Sequence, residues 1–126
     1  MIVNAPISVG ELIDKITILR IKSEQINDTS KLKNITQELE LLNDIKTNLN
    51  INSDNVDTLE QQLYEVNREL WVIEDTKRQC EREQNFGLGF VYVARQVYLK
   101  NDLRAAIKRS INQLVGSTIV EEKSYK

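Results

Sequence analysis

DTLEQQLYEVNRELWVIEDTKRQCEREQ, residues 57–84, decides the fold. Leu59, Leu63, Val66, Leu70, Ile73, Lys77 and Cys80 recur along it in steps of three and four, with no Gly or Pro to interrupt them. That period belongs to an amphipathic helix. A helix over 57–84 spans ~42 Å at 1.5 Å per residue, whereas a compact globule of this chain length is ~35 Å across. Such a rod has to project from the rest of the domain or be shared with a second molecule.

Toward the N-terminus, Ser8-Val9-Gly10-Glu11 reads as a capping box. The Ser8 hydroxyl accepts from the Glu11 amide and the Glu11 carboxylate reaches back to the Ser8 amide, so a helix starts at Val9 and runs to about residue 26. Leu12, Ile13, Ile16 and Leu19 share one arc of it, and Ile18 and Ile21 lie nearly opposite. A helix apolar on two sides is either central or offers one side to a partner chain. Residues 27–30 form a turn and cap. Leu32, Ile35, Leu39, Leu42, Ile45 and Leu49 then mark a second amphipathic helix, antiparallel to the first, and the Asn-rich residues 48–55 form a loop.

Beyond the long helix, Phe86-Gly87-Leu88-Gly89-Phe90 reads as its stop. Phe90, Val93, Ala94, Val97 and Tyr98 cover most of the circumference of a helix over 90–99, which is expected to be buried. Asn101 caps a last helix, 102–115, whose core stripe is Leu103, Ile107, Ile111 and Leu114 and whose stop is Gly116. Residues 1–8 and 117–126 are extended ends, with Thr118-Ile119-Val120 suited to a short strand beside Ile2-Val3. The expected fold is all-α: one domain over 1–126, an elongated antiparallel helical bundle of four to five helices around one long central helix.

Composition narrows the chemistry. With 126 residues, 40% of them hydrophobic, the chain suffices for one core without disulfides or structural metal. A formal net charge of -2 gives no global field toward nucleic acid or anionic lipid. The first residues lack a basic leader followed by a long apolar run, and no stretch approaches the ~20 apolar residues of a membrane span, so the expected compartment is the cytoplasm. One cysteine, Cys80, agrees with a reducing setting and reads as a buried thiol. The chain contains no histidine, which excludes Ser-His-Asp and Cys-His machinery, imidazole acid–base catalysis and His-bearing zinc sites within it. No catalytic set, metal site or cofactor is assigned.

Three groups of residues invite a functional reading, each beside a plainer one. Tyr64, Trp71 and Arg78, flanked by Asn67 and Glu74, form a second stripe on the long helix that suits the wall of a pocket for a planar or anionic ligand, or else simply packs under a neighbour. Arg20 lies between Ile16 and Ile13 on an apolar arc and needs a carboxylate, with Glu74 or Glu69 as candidates, or a route to water. Arg95, Lys100, Arg104, Lys108 and Arg109, around the helix start at Asn101, suit an anion, with Arg104, Lys108 and Asn112 on one face; charge runs are more often solvated faces. Gly87-Leu88-Gly89 follows a helix where a dinucleotide fingerprint needs a strand, and Glu11-x-x-Asp14 is a single acidic pair with no second one to hold magnesium. A short helical enzyme of the chorismate mutase type fits the composition, with Arg20, Arg78, Arg95 and Glu74 as its set.

Several strings together carry a resemblance: residues 7–15 (ISVGELIDK), 70–75 (LWVIED), 94–98 (ARQVY), 101–105 (NDLRA) and 121–125 (EEKSY). They resemble an uncharacterised family of short helical bacterial proteins over most of the chain, least closely in helix two and the Asn-rich loop. That family has no assigned activity, so the resemblance implies no function, only that the chain is a whole protein. The leading expectation is therefore a non-catalytic interaction or assembly module, a homodimer or the partner of another protein. Its rivals are a small enzyme or binder that holds an anionic metabolite among Arg20, Trp71, Glu74, Arg78 and Arg95, and a weak nucleic-acid binder through Arg104, Lys108 and Arg109.

Overall fold

Side-chain oxygens start three of the four helices. Ser8 Oγ accepts from the Glu11 amide at 3.0 Å, Asp28 Oδ1 from the Lys31 amide at 2.9 Å and Ser53 Oγ from the Val56 amide at 3.2 Å, each filling one donor that a helix start leaves open. The computed structural model describes residues 1–124. It holds α1 (Val9–Gln25), α2 (Thr29–Asn48), α3 (Asp54–Arg82) and α4 (Leu88–Val115), with no strand among the described residues.

The N-terminal cap differs from a capping box in its second half. The Glu11 carboxylate turns away from Ser8 to Lys108 and Lys15, and the Ser8 hydroxyl donates instead to Glu121 at 2.7 Å. Where spacing predicts two helices over 90–99 and 102–115, α4 runs unbroken, and Asn101 is an interior residue. Asn is a weak helix former but costs only ~0.7 kcal/mol against Ala, too little by itself to stop a helix. Thr118-Ile119-Val120 form no strand. After Gly116, left-handed at φ 69°, the exposed tail folds back along α4; Tyr125 and Lys126 lie outside the described residues.

Packing centres on α1, the helix that touches all three others, while α3 is the longest at 29 residues. α2 lies on α1 and reaches α3 through the Lys46–Glu60 ion pair at 2.7 Å. The two-sided apolar pattern of α1 thus marks an interior helix: Leu12, Ile13, Ile16, Leu19 and Ile21 are all buried. Ile13 meets Val56, Leu63 and Val66 of α3 and Ile107 and Ile111 of α4 in one cluster. Burial stops there. No residue from 68 to 106 is buried, so the helix expected to be buried over 90–99 is in fact half-covered at best, and the far half of the α3–α4 hairpin stands out from the core as an arm.

Gly10 sets the distance between α1 and α4. A Cβ there would fall 2.5 Å from the Lys108 carbonyl oxygen, which is backbone and cannot swing away. Gly10→Ala should therefore push the helices apart and cost ~1–3 kcal/mol of stability in urea denaturation. Gly89→Ala, at a helical position with nothing within 4 Å, should instead leave stability unchanged or raise it by up to ~1 kcal/mol.

Candidate functional site

Where α1, α3 and α4 converge, an ionised side chain sits inside the protein. Asp14 is 0% exposed, on the α1 face that also carries Thr17, Ile18 and Ile21. Arg104 of α4 grips it side-on, Nε to Oδ1 at 2.9 Å and Nη2 to Oδ2. Asn67 of α3 donates to the same Oδ1 at 2.8 Å and to Thr17 Oγ1 at 2.9 Å, and the Thr17 hydroxyl donates to the Asp14 carbonyl at 2.8 Å. The hydrogen bond to Asp14 holds the Arg104 guanidinium above even its ordinary range, against the opposing pull of burial. Among the described residues no buried side-chain nitrogen or oxygen lacks a partner. A buried charge survives only under such conditions.

A second layer follows α4 toward its C-terminus. The Gly10 amide donates to Asn112 Oδ1 at 2.6 Å, the Val9 amide to Ser117 Oγ at 3.2 Å, and Lys108 bridges Glu11 at 2.5 Å and Glu121 at 3.2 Å. Burial pushes the Glu121 carboxyl up, but the hydrogen bonds from Ser8 and Lys108, with the Lys108 charge, outweigh it and leave the group below its ordinary value. Burial likewise draws the Lys108 ammonium down, and its bonds to Glu11 and Glu121 more than offset that. Arg109–Glu122 at 2.8 Å and Lys123–Asp102 at 2.7 Å continue the clasp of the tail on α4.

Beside Arg104 opens a groove of about 370 Å³, walled by Ile18 and Ile21 of α1, Asn67, Leu70, Trp71, Glu74, Asp75 and Arg78 of α3, and Arg104 itself. The structure thus brings together five of the residues singled out in the sequence: Asn67, Trp71, Glu74, Arg78 and Arg104. Arg20 is not among them. It lies ~200° around α1 from Ile18, stacked 4.5 Å from the Tyr64 ring centroid and 3.7 Å from Glu60, so neither Glu74 nor Glu69 is its partner. Glu74 pairs with Lys77, and Glu69 with Lys100 at 2.5 Å. Arg95 is exposed on the arm and forms no ion pair among the described residues. The anion site at a helix start near Asn101 is absent, because Asn101 is helix interior and its side chain accepts from Arg104 at 3.4 Å. Lys108 and Arg104 face the carboxylates of α1 and the tail, so that side of α4 is already neutralised. No three His, Cys, Asp or Glu side chains are placed to hold a metal ion among the described residues.

The model of a family of unknown function, DUF6165, matches residues 3–126, and the chain belongs to that family. No curated protein and no solved structure matches it.

Arg104→Met should cost ~3–5 kcal/mol in denaturation, since it strands the Asp14 carboxylate in the interior, and Asp14→Leu combined with it should recover part of the loss. The tail clasp has its own pH window. Glu121, held low, contributes above its ordinary value of 4.5 and loses that contribution as pH falls through its folded value. Lys108, held high, contributes below 10.5 and loses it as pH rises through its folded value. The chemical shifts of residues 117–124 should accordingly move toward random-coil values below pH 4.5, and Glu121→Gln should give the shifted spectrum at neutral pH.

Proposed function

Membership of a family without an assigned activity supplies no reaction, and we propose from the geometry that this chain is a non-catalytic helical assembly module that pairs through its α3–α4 arm with a second copy of itself. One observation carries this: burial ends at Asn67 on α3 and resumes at Ile107 on α4, yet the stretch between is not polar. Val72, Phe86, Leu88, Val91 and Tyr92 are all exposed there, Leu88 to 89% and Tyr92 to 65%. The cause is a mismatch of lengths. α1, at 17 residues, covers ~26 Å, whereas α3, at 29, runs ~43 Å. Two helices lying side by side do not bury an apolar face, and an exposed patch of this kind on a water-facing surface marks a binding site.

Charge supports a second copy as the occupant. A shallow groove on the arm, lined by Val72, Ile73 and Tyr92, is flanked by Glu65 and Glu69 and also by Arg68 and Lys100. A two-fold pairing of antiparallel arms sets acids of one copy against cations of the other, where a patch of single sign would repel itself. In this reading the molecule is elongated, an antiparallel bundle at one end and a two-helix arm at the other, and two arms complete a four-helix bundle. No helix among the described residues is long and apolar enough to cross a membrane, so lipid does not cover the arm by a spanning segment. A reducing, cytoplasmic setting suits Cys80 on α3.

Light scattering should give twice the 14.6 kDa chain mass at tens of micromolar. Val72→Lys with Leu88→Lys should return the chain mass with circular dichroism unchanged, while Leu41→Lys on α2 leaves the dimer intact. A wild-type chain that is monomeric at that concentration, or a dimer indifferent to the arm substitutions, overturns the proposal.

A further inference from the structure

The groove beside Arg104 lies on the other side of α3 from the proposed interface, and its chemistry points elsewhere. A guanidinium has five N–H donors. Asp14 takes two of them, from Nε and Nη2, and Asn101 takes a long one from Nη1 at 3.4 Å. Two N–H donors remain, one on each terminal nitrogen, with no partner among the described residues, and Arg104 is a wall of the groove. Asp14, itself held by Asn67, and Asn101 fix the guanidinium plane, so an incoming group meets a rigid fork. Trp71 stands on the same side with Ile18, Ile21 and Leu70, and Arg78 reaches the groove without an ion-pair partner among the described residues.

We infer that this groove binds a small organic monocarboxylate with an apolar, preferably aromatic, body, its carboxylate on the two remaining N–H donors of Arg104 and its body against Trp71. The volume, about 370 Å³, suits a small ligand. Arg104 is offset by Asp14 and Glu74 by Lys77, which leaves Arg78 against Asp75, so the near-neutral groove suits one negative charge better than the two of a phosphate monoester. Bidentate docking on a fixed guanidinium is the geometry that distinguishes a carboxylate from its neutral amide.

Trp71 is the sole tryptophan, so intrinsic fluorescence reports on the groove directly. Titration of the full chain with 3-phenylpropionate should give a saturable change in emission, half-complete near ~1 mM, and calorimetry should give the same midpoint. Its amide, 3-phenylpropionamide, should bind at least ~10-fold more weakly, as should the acid to Arg104→Lys, which lacks the planar fork. Because Arg104 also holds Asp14, Ile18→Glu serves as the second variant. It sets a like charge on a half-exposed wall residue and should weaken the acid ~10-fold with the helical signal intact. Absence of saturation in both measurements, equal binding of acid and amide, or full-strength binding to Ile18→Glu would each end the inference. A chain that dimerises but leaves both titrations flat refutes this site and not the arm.

Discussion

The ionised Asp14 at the centre of the molecule constrains everything around it. A carboxylate with no exposure requires a cation, a further donor and a fixed geometry, and Arg104, Asn67 and Thr17 supply these from α4, α3 and α1. Apolar contacts in the adjoining cluster of Ile13, Leu63 and Ile111 stabilise the association of the same three helices but tolerate sliding along a stripe. The ion pair does not. A shift of α4 by one turn would carry Arg104 ~5.4 Å from Asp14 and leave two unsatisfied charges, so the network selects one register among the several that grease alone allows.

That register explains features that look unrelated along the chain. At Gly10 the α4 backbone lies too near α1 to admit a Cβ, and the Gly10 amide, one of the open donors of a helix start, is taken by Asn112. Ser8 and Lys108 hold Glu121, which brings the tail over the same end of α1. All of this order lies at the end of the hairpin that α1 reaches. The polar network and the apolar cluster coincide there, and the arm is left without either.

Helices were legible wherever an apolar stripe had a cap beside it. Ser8, Asp28 and Ser53 open helices in the stretches the sequence pattern indicates, and the long third helix, read as 57–84, is Asp54–Arg82. Asn101 misled because a capping residue type signals a helix start only if the chain also breaks there, and nothing in Leu99-Lys100-Asn101-Asp102 forbids helical backbone. The groove was half legible: the stripe of Trp71, Glu74 and Arg78 showed in the spacing, but its opposite wall depends on how α1 and α4 cross. Arg20 was assigned there on angular grounds that fail because α1 packs against three other helices, so lying on an apolar arc does not tell which neighbour is met. The same test applied to Asp14, between Ile18 and Ile21 on the helical wheel, flags the residue that holds the site together.

Two kinds of broken local rule therefore separate in this molecule. A charge on an apolar face, at Asp14, is compensated in full within the chain and yields a rigid guanidinium with donors to spare. Apolar side chains on a water-facing surface, Val72, Leu88, Val91 and Tyr92 among them, stay exposed among the described residues. Since departures from local consistency concentrate at functional or strained sites, the second is the ground for proposing a partner of comparable size and apolar character. The first leaves only two N–H donors of Arg104 without a partner among the described residues, a demand on the scale of a small ligand. The difference in scale between these demands is the ground for proposing assembly at the arm and a carboxylate in the groove, which open on different sides of α3.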